Sequence, residues 1–354
     1  LHRRQGRGSR MKVRLKEIAE ATGFSINTVS HALRDEPDIS EATKRIIRET
    51  AEKIGYIPNI QASGIKSGKS RIISIILPDI KNPHFTIVFR EIEHYFHNLG
   101  LTPFFMNTNE TLKDELNAVR ISIGQNVEGV IICPTQVNTE CIELLARSHI
   151  PYVLIGRHFE GDSRSNFVVC DDENGGYIAT RHLASLGHRF IAYVRVNGCI
   201  SSDRERFMGY RRALEEAGIP FRDEQILNLS LAEDGNAGRI REYLAAHPEC
   251  TAILSFNDIL AYSIIYEIRR IGKSVPGDIS VMGFDNICSD YTFPTQLSSV
   301  SVSKKHMAHT ASEMLCRYIR GAGEHKPEQP NQIVLPTTLY LRETTAPVRT
   351  AGAD

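Results

Sequence analysis

The chain has 354 residues, 41% hydrophobic and 24% charged, with 42 Lys and Arg balanced by 42 Asp and Glu. This composition excludes a disordered chain, a collagen-like repeat and a small disulfide scaffold, and the length predicts two or three domains of roughly 100–200 residues. No apolar run approaches the ~18 residues of a membrane-spanning helix, and the zero net charge, taken alone, speaks against a nucleic-acid partner.

The distribution of charge along the chain reverses that last point. Residues 1–70 hold 14 Lys and Arg against 8 Asp and Glu, and the remainder hold 28 against 34. A small basic module is joined to a larger acidic one, and a basic end suggests a polyanion partner. A solvated face would fit the same count. Residues 1–10 are basic and polar without an apolar stretch, so they are not expected to be a signal peptide. They precede Met11 and are left out of the expected fold. Seven cysteines are scattered, without a C-x-x-C pair, and several lie in apolar runs. Free buried thiols in a reducing compartment are expected.

Leu15, Ile18, Ala19 and Thr22 recur at helical spacing, and Gly23 stops that helix. Ser25 is an N-cap for a second helix reaching Leu33, with Val29, Ala32 and Leu33 inward. The turn Gly23-Phe24-Ser25 is so short that the helices must cross steeply and close together. Ala19 is small enough for the crossing, Gly23 tolerates positive φ, and Phe24 and Val29 fill the space. Ser40 caps a third helix, with Ile46, Ile47, Ala51 and Ile54 as its expected buried stripe and Gly55 at its end. The third helix and this spacing favour a helix-turn-helix over a plain helical hairpin.

In that arrangement the second helix enters the major groove, exposing Ile26, Asn27, Thr28, Ser30 and His31. Asn27 suits adenine, Ile26 a thymine methyl, and His31 can donate to guanine. Thr28, Ser30, Lys12, Arg14 and Lys16 are placed for phosphates. A solvated helix face is the alternative for each.

The stretch Leu15-Lys-Glu-Ile-Ala-Glu-Ala-Thr-Gly-Phe-Ser-Ile-Asn-Thr-Val-Ser-His-Ala-Leu33 resembles the amino terminus of the LacI/GalR family of bacterial transcription regulators. So do Ser40-Glu-Ala-Thr-Lys-Arg45 and Gly55-Tyr-Ile-Pro-Asn59, and later blocks extend the resemblance from about Val13 to Pro347. The resemblance implies that residues 59–70 form a hinge helix when two subunits meet on DNA, with a leucine wedged into the minor groove. Asn59 and Ala62 match that pattern. Ser63 stands where arginine is usual, and Ile65 replaces the leucine but remains an apolar wedge. Gly64 costs about 1 kcal/mol of helix stability relative to Ala, and a plain flexible linker is the alternative. Gly64, Gly68, Lys69 and Ser70 nearly spell a phosphate-binding loop, but the spacing is one residue short and a strand follows rather than precedes it.

Beyond residue 70, short runs rich in Ile and Val predict strands at 72–77, 130–133, 152–155, 167–169, 190–194, 252–254 and 279–282. Helical periodicity occupies 84–99, 175–186, 204–217 and 257–271. Buried strands alternating with helices mean doubly wound parallel sheets. The span is long for one sheet, so two lobes are expected: about 71–170 with 300–329, and about 171–299 with 330–346. The expected whole is an all-α helix-turn-helix DNA-binding domain (1–58), a hinge (59–70) and a two-lobed α/β core (71–354), which the resemblance likens to a periplasmic binding protein.

Ligands of such folds sit outside the carboxyl ends of strands. Polar residues collect there at 78–85, 171–176, 256–258 and 283–286, and residues 204–210 open a helix. The resemblance places effector contacts on Asn82, Arg206, Asn257 and Asp285, with Phe85 as a stacking wall. Arg206 and Asp285 suit paired hydroxyls or an anionic group. As alternatives, Asn257 and Asp258 also read as helix caps, Asp285 as a turn residue and Arg206 as a surface ion pair. Val302 stands where some sugar-responsive members carry a polar side chain. The chain has no Trp, so stacking would fall to Phe85, Phe256 or Phe284.

G-x-S-x-G and H-E-x-x-H are absent, Ser301 and Lys304 lack companion motifs, and the pairs His94/His97 and His306/His309 lack a third ligand at fixed spacing. No catalytic residues, metal or cofactor are expected. The sequence therefore reads as a cytoplasmic, ligand-responsive repressor of carbohydrate-uptake or catabolism genes. Its expected partners are a pseudopalindromic double-stranded operator, a sugar or sugar derivative, and a second copy of itself in a homodimer or a tetramer built from it. A non-sugar effector (a nucleoside, purine or phosphorylated metabolite), a cytoplasmic solute-binding protein and an α/β enzyme are the alternatives.

Overall fold

The computed structural model describes residues 13–57, 70–196, 200–231, 235–321 and 330–349. Lys12, the expected hinge residues Asn59 and Ile65, and Cys199 lie outside the described residues. The described residues form two units, one on each side of residues 58–69.

The first unit is α1 (Leu15–Thr22), α2 (Ile26–Leu33) and α3 (Glu41–Lys53). Ser25 Oγ accepts from the Thr28 N–H at 3.1 Å and Ser40 Oγ from the Thr43 N–H at 3.3 Å, capping α2 and α3. Gly23 takes φ 74° and turns the chain between α1 and α2. Ile18, Val29, Ala32, Ile47 and Ala51 form the core, with Leu15, Ala19, Phe24 and Leu33 packed around it. Ile46 departs from expectation, being 47% exposed. The inward face of α3 runs through Lys44, Ile47 and Ala51, three and four residues apart, which turns position 46 outward. The Lys44 stem takes the place in the stripe that Ile46 was expected to fill.

The second unit begins β1 (Ile72–Leu77), α4 (Pro83–Asn98), β2 (Thr102–Asn107), α5 (Leu112–Gly124), β3 (Gly129–Ile132), α6 (Glu140–Arg147), β4 (Tyr152–Ile155) and β5 (Phe167–Cys170). It continues through α7 (Asp172–Ser185), β6 (Ile191–Arg195), α8 (Ser201–Glu216), β7 (Ile226–Asn228), α9 (Asn236–Ala246), β8 (Ala252–Leu254), α10 (Asp258–Arg270), β9 (Ser280–Phe284) and β10 (Ser298–Ser301). It ends with α11 (Lys304–Gly321), β11 (Gln332–Leu335) and β12 (Thr338–Tyr340). One sheet has the order β11-β5-β4-β3-β1-β2 and the other β12-β10-β9-β8-β6-β7. Pairing is parallel except between β10 and β12.

The central strands are buried on both faces, which is why they read as continuous apolar runs. Ile73, Ile75 and Leu77 face Val88, Ile92 and Phe96 of α4, while Ile76 faces Leu116 and Val119 of α5. In the other sheet Ala192, Val194, Ile253 and Val281 pack with Ile264 and Ile268 of α10.

The expected lobe boundaries need two corrections. Residues 330–346 do not all belong to the second lobe. β11 pairs with β5 of the first sheet, from Gln332 opposite Phe167 to Leu335 opposite Cys170, and only β12 joins the second sheet. The chain crosses between Leu335 and Thr338, where Pro336 cannot donate to a ladder. In the same way β10 stays in the second sheet, and the preceding crossing falls after Ser301 rather than at 300.

Candidate functional site

On the first unit, Ile26 is 51% exposed and Asn27 is exposed beside it, while Thr28, Ser30 and His31 are half-buried. Lys16 is exposed on α1 and lies 3.6 Å from Glu20. His31 Nδ1 is 2.7 Å from Asp38 Oδ2, which fixes the ring and leaves Nε2 as its remaining polar atom. Ser30 Oγ accepts from Arg34 Nη1 at 2.7 Å. The α2–α3 connection is braced by a group absent from the sequence reading. Asp35, at φ 63°, lies 3.0 Å from Lys44 Nζ and 2.5 Å from Arg48 Nη2. These two cations, Lys44 foremost, hold its carboxyl below the ordinary range.

In the second unit, a cavity of about 280 Å³ opens where the carboxyl ends of the two sheets face one another. Asn82, His84, Phe85, Glu110, Cys133 and Arg157 line it from the first lobe; Ser202, Arg206, Phe256, Asn257 and Asp285 line it from the second. All five residues expected to contact an effector thus meet in one cleft. In each sheet the cleft lies at a switch in strand order, beside β1 and β3 and beside β6 and β8. His158 Nε2, 2.7 Å from Glu205 Oε1, and Gln136 Oε1, which accepts from the Ser201 N–H at 2.8 Å, join the lobes at its flank.

Arg206 is buried and held by two hydrogen bonds. Its Nε donates to Asp172 Oδ1 at 2.8 Å and its Nη1 to the Phe256 carbonyl at 2.6 Å, and Nη2 lies 4.0 Å from Asp285 Oδ1. The guanidinium stacks 3.6 Å from the centre of the Phe284 ring. That placement depends on α7 and α8 touching backbone to backbone, because a Cβ on Gly176 would overlap Arg206 and one on Gly209 would overlap Glu173. Asn82 Oδ1 accepts from the His84 N–H at 3.0 Å and Asn257 Oδ1 from the Leu260 N–H at 2.9 Å. Both asparagines are therefore helix caps as well as lining residues, keeping their NH₂ groups for the cavity.

Asp285 and Asn286 hold φ 106° and 51°, conformations that cost on the order of 1–3 kcal/mol each outside glycine. The surroundings enforce them. The Asp285 N–H donates to the Val300 carbonyl at 2.9 Å, and Lys304 Nζ donates to the carbonyls of Asp285 and Asn286 at 2.8 and 3.1 Å. Burial pushes the Asp285 carboxyl up to about 6, against the opposing pull of Arg206 and Lys304. Behind it, Asp258 accepts from Ser299 Oγ at 2.6 Å and the Ile287 N–H at 2.8 Å, and its burial raises it to about 8.

Sequence reasoning missed His84, Glu110 and Arg157. Arg157 grips Glu110 with two hydrogen bonds of 2.8 and 2.7 Å and donates to the Pro134 carbonyl at 3.0 Å. Arg157 follows β4, so the carboxyl-end rule could have found it. Glu110 follows β2, a strand that was not expected. Phe284 does not line the cavity; it backs Arg206. Among the described residues no group of His, Cys, Asp or Glu could hold a metal ion, and no helix is long and apolar enough to cross a membrane.

A helix-turn-helix unit followed by a two-lobed α/β unit with a polar cavity between its lobes defines a ligand-responsive DNA-binding regulator. Comparison with known proteins specifies which kind. Residues 14–59 match the model of bacterial regulatory proteins of the lacI family, and residues 180–345 match that of the periplasmic binding protein-like domain. The HTH-type transcriptional regulator DegA of Bacillus subtilis is 31% identical over 346 residues, covering 96% of this chain and all of the relative. The lac repressor dimer bound to operator and the anti-inducer ONPF shares the fold, with TM-score 0.78, 21% identity, and coverage of 94% of this chain and 99% of that one. A LacI family transcriptional regulator from Enterococcus faecium, solved with bound ribose, has TM-score 0.67 and 27% identity over 78% of this chain and all of its own. The chain belongs to the lacI family and is a DNA-binding transcriptional regulator.

Proposed function

We propose that this regulator represses genes for the uptake or breakdown of a carbohydrate and that a neutral sugar, held between the two lobes, sets its affinity for DNA. The observation that carries this reading is the charge pairing in the cavity. Both buried guanidiniums are already matched, Arg206 by Asp172 and Asp285, and Arg157 by Glu110. A phosphate would bring further negative charge beside Glu110 and Asp285, whereas hydroxyls can donate to the carboxylates and accept from the amides of Asn82 and Asn257. Phe85 and Phe256 offer apolar walls to the C–H faces of a sugar ring. The ribose-bound relative supports the same class of ligand.

The protein works in this reading as a cytoplasmic homodimer on a pseudopalindromic operator, with Ile26, Asn27 and His31 on base edges and Lys16, Thr28 and Ser30 nearer the phosphates. The cavity is a sensor rather than an active site. The domains in this reading are a reading head to residue 58, a hinge at 59–70 and the sensing core beyond. A thermal-shift panel of D-ribose, cellobiose, glucose 6-phosphate and adenosine tests it, since ligands of the folded state raise its melting temperature. A shift with a neutral sugar that also changes operator affinity is expected. Stabilisation by glucose 6-phosphate or adenosine alone would overturn the sugar reading.

A further inference from the structure

One flank of the cavity is closed by side chains that reach from lobe to lobe. Gln136 follows β3 and His158 follows β4 on the first lobe, while Ser201 and Glu205 lie in the opening turns of α8 on the second, the helix that carries Arg206. Gln136 Oε1 accepts from the Ser201 N–H at 2.8 Å, and the His158 N–H donates to Ser201 Oγ at 3.3 Å. The His158 ring sets Nε2 2.7 Å from Glu205 Oε1. Beside them Arg204 reaches Glu160 of the first lobe at 3.1 Å. Gln136 is held at φ 63°, a conformation uncommon outside glycine, and its Nε2 donates to the His158 carbonyl at 2.6 Å. That bond ties the first-lobe members together, so parting the lobes breaks the crossing bonds as a set.

We propose that this cluster is an acid-strengthened latch, with His158 as its titrating member, so that the two lobes hold together more firmly as the medium becomes more acidic. Protonated, the imidazolium meets the Glu205 carboxylate in a charge-assisted bond, roughly twice as strong as a neutral one. Neutral, it keeps only an ordinary hydrogen bond. The groups around the ring are Glu205 and Arg204 from α8, Glu160 paired with Arg204, Arg157 bound to Glu110, and the uncharged ring of Phe167 on β5. The bond to Glu205 raises His158 above its ordinary 6.5, aided by the Phe159 backbone, while burial and Arg204 oppose the rise. A histidine raised in the closed arrangement favours that arrangement below its ordinary value, and the contribution is lost as pH rises through the raised one. A ligand that needs closed lobes then binds more tightly at lower pH, whatever its chemistry, and acidity becomes a second input to the sensing core.

Amide hydrogen exchange of the full chain reads the latch without a ligand. The Ser201 N–H opens α8 and has no acceptor in its own helix, so its protection comes from Gln136 across the lobes. Exchange is followed at single-amide resolution from about pH 6 to 8.5 in the wild type, His158→Gln and Glu205→Gln, with the intrinsic rise of exchange with pH divided out. Each protein is referred to its own Ile75 amide in β1, which reports unfolding of the first lobe. Gln at position 158 keeps a donor for Glu205 but cannot titrate. Asp172 and Asp285, which hold values of about 6 beside the cavity, are common to all three proteins, so the differences belong to the latch. Over this interval the wild type should lose Ser201 protection by at least ~3-fold more than either variant, and Glu205→Gln should be at least ~3-fold less protected than the wild type at the acid end. Wild-type protection that is independent of pH overturns the proposal. The same pH dependence in His158→Gln also overturns it, by assigning the titration to another group.

Discussion

Replacing Gly209 with Ala tests how the sensing core positions its central cation. A Cβ at this position would stand 2.6 Å from the Tyr177 nitrogen and closer still to the Glu173 carbonyl, both in the backbone of α7. Backbone cannot swing aside as a side chain does, so α7 and α8 must part by about 1 Å. The bond from Arg206 on α8 to Asp172 on α7 is 2.8 Å long, and that separation takes it beyond hydrogen-bond range. Overpacking costs about 1–3 kcal/mol, and disrupting a buried ion pair about 3–5 kcal/mol. The pair is the larger effect, and a loss of ~3–5 kcal/mol lowers Tm by roughly 6–20 °C in a unit of this size. Gly238→Ala is the control. It makes the same chemical change on α9, where nothing lies within 4 Å of the new methyl, and should be neutral or stabilising by up to ~1 kcal/mol. Melting followed by circular dichroism, together with the thermal shift produced by a bound sugar, reads both outcomes. A Gly209→Ala protein that melts with the wild type and keeps its ligand response would refute the claim that helix contact sets Arg206.

Ser25→Ala removes the cap of α2 and should cost about 1 kcal/mol, read as roughly fivefold faster hydrogen exchange at α2 amides; unchanged exchange would mean that packing alone holds that end. Asn27→Ala should relax preference at one base position in a selection from random DNA, whereas equal weakening on every sequence would assign Asn27 to the phosphates. Asp258 has a folded value of about 8 against an ordinary 3.8, so the folded state holds its proton more tightly than the unfolded chain does. That contribution to stability is fully present below about pH 4 and is lost as pH rises toward 8. Asp258→Asn, which can accept from Ile287 and donate to Ser299, should flatten the fall in Tm over this interval; parallel curves for the two proteins would show that the aspartate is charged throughout.

The helix-turn-helix was legible because its constraints are local: a capping serine, a glycine turn and an alanine at the crossing are adjacent in the chain. Ile46 was misplaced because two neighbouring isoleucines offer two helical phases, and the tertiary fold chose the one shared with Ala51. The central strands were legible from burial on both faces, but the edge strand β2 was not. Its Pro103 and exposed Phe104 break the apolar run, and an edge tolerates both. Losing β2 also hid Glu110, and with it the partner of Arg157. Asn257 carried a cap signal that competed with its lining role, and in the structure Asn82 and Asn257 each cap a helix and line the cavity. His84 left no signal, since only the fold places its ring opposite Asp285.

The opening charge balance takes on a more specific meaning with the first unit in view. Within residues 13–57 there are seven Lys and Arg against eight Asp and Glu, so the basic excess of residues 1–70 falls in the segments that flank the helices. Several of the acids are spent within the unit: Asp35 on Lys44 and Arg48, Asp38 on His31, and Glu41 on Lys44. What α2 presents is mostly uncharged, with Ile26 and Asn27 foremost. In the proposed reading such a surface gains little from phosphate attraction and discriminates by fit to base edges. We propose that the non-specific, salt-dependent part of binding then comes chiefly from the flanking basic residues. Affinity for DNA in general and choice of sequence would on this proposal be carried by different stretches of the chain, so that either could change without the other.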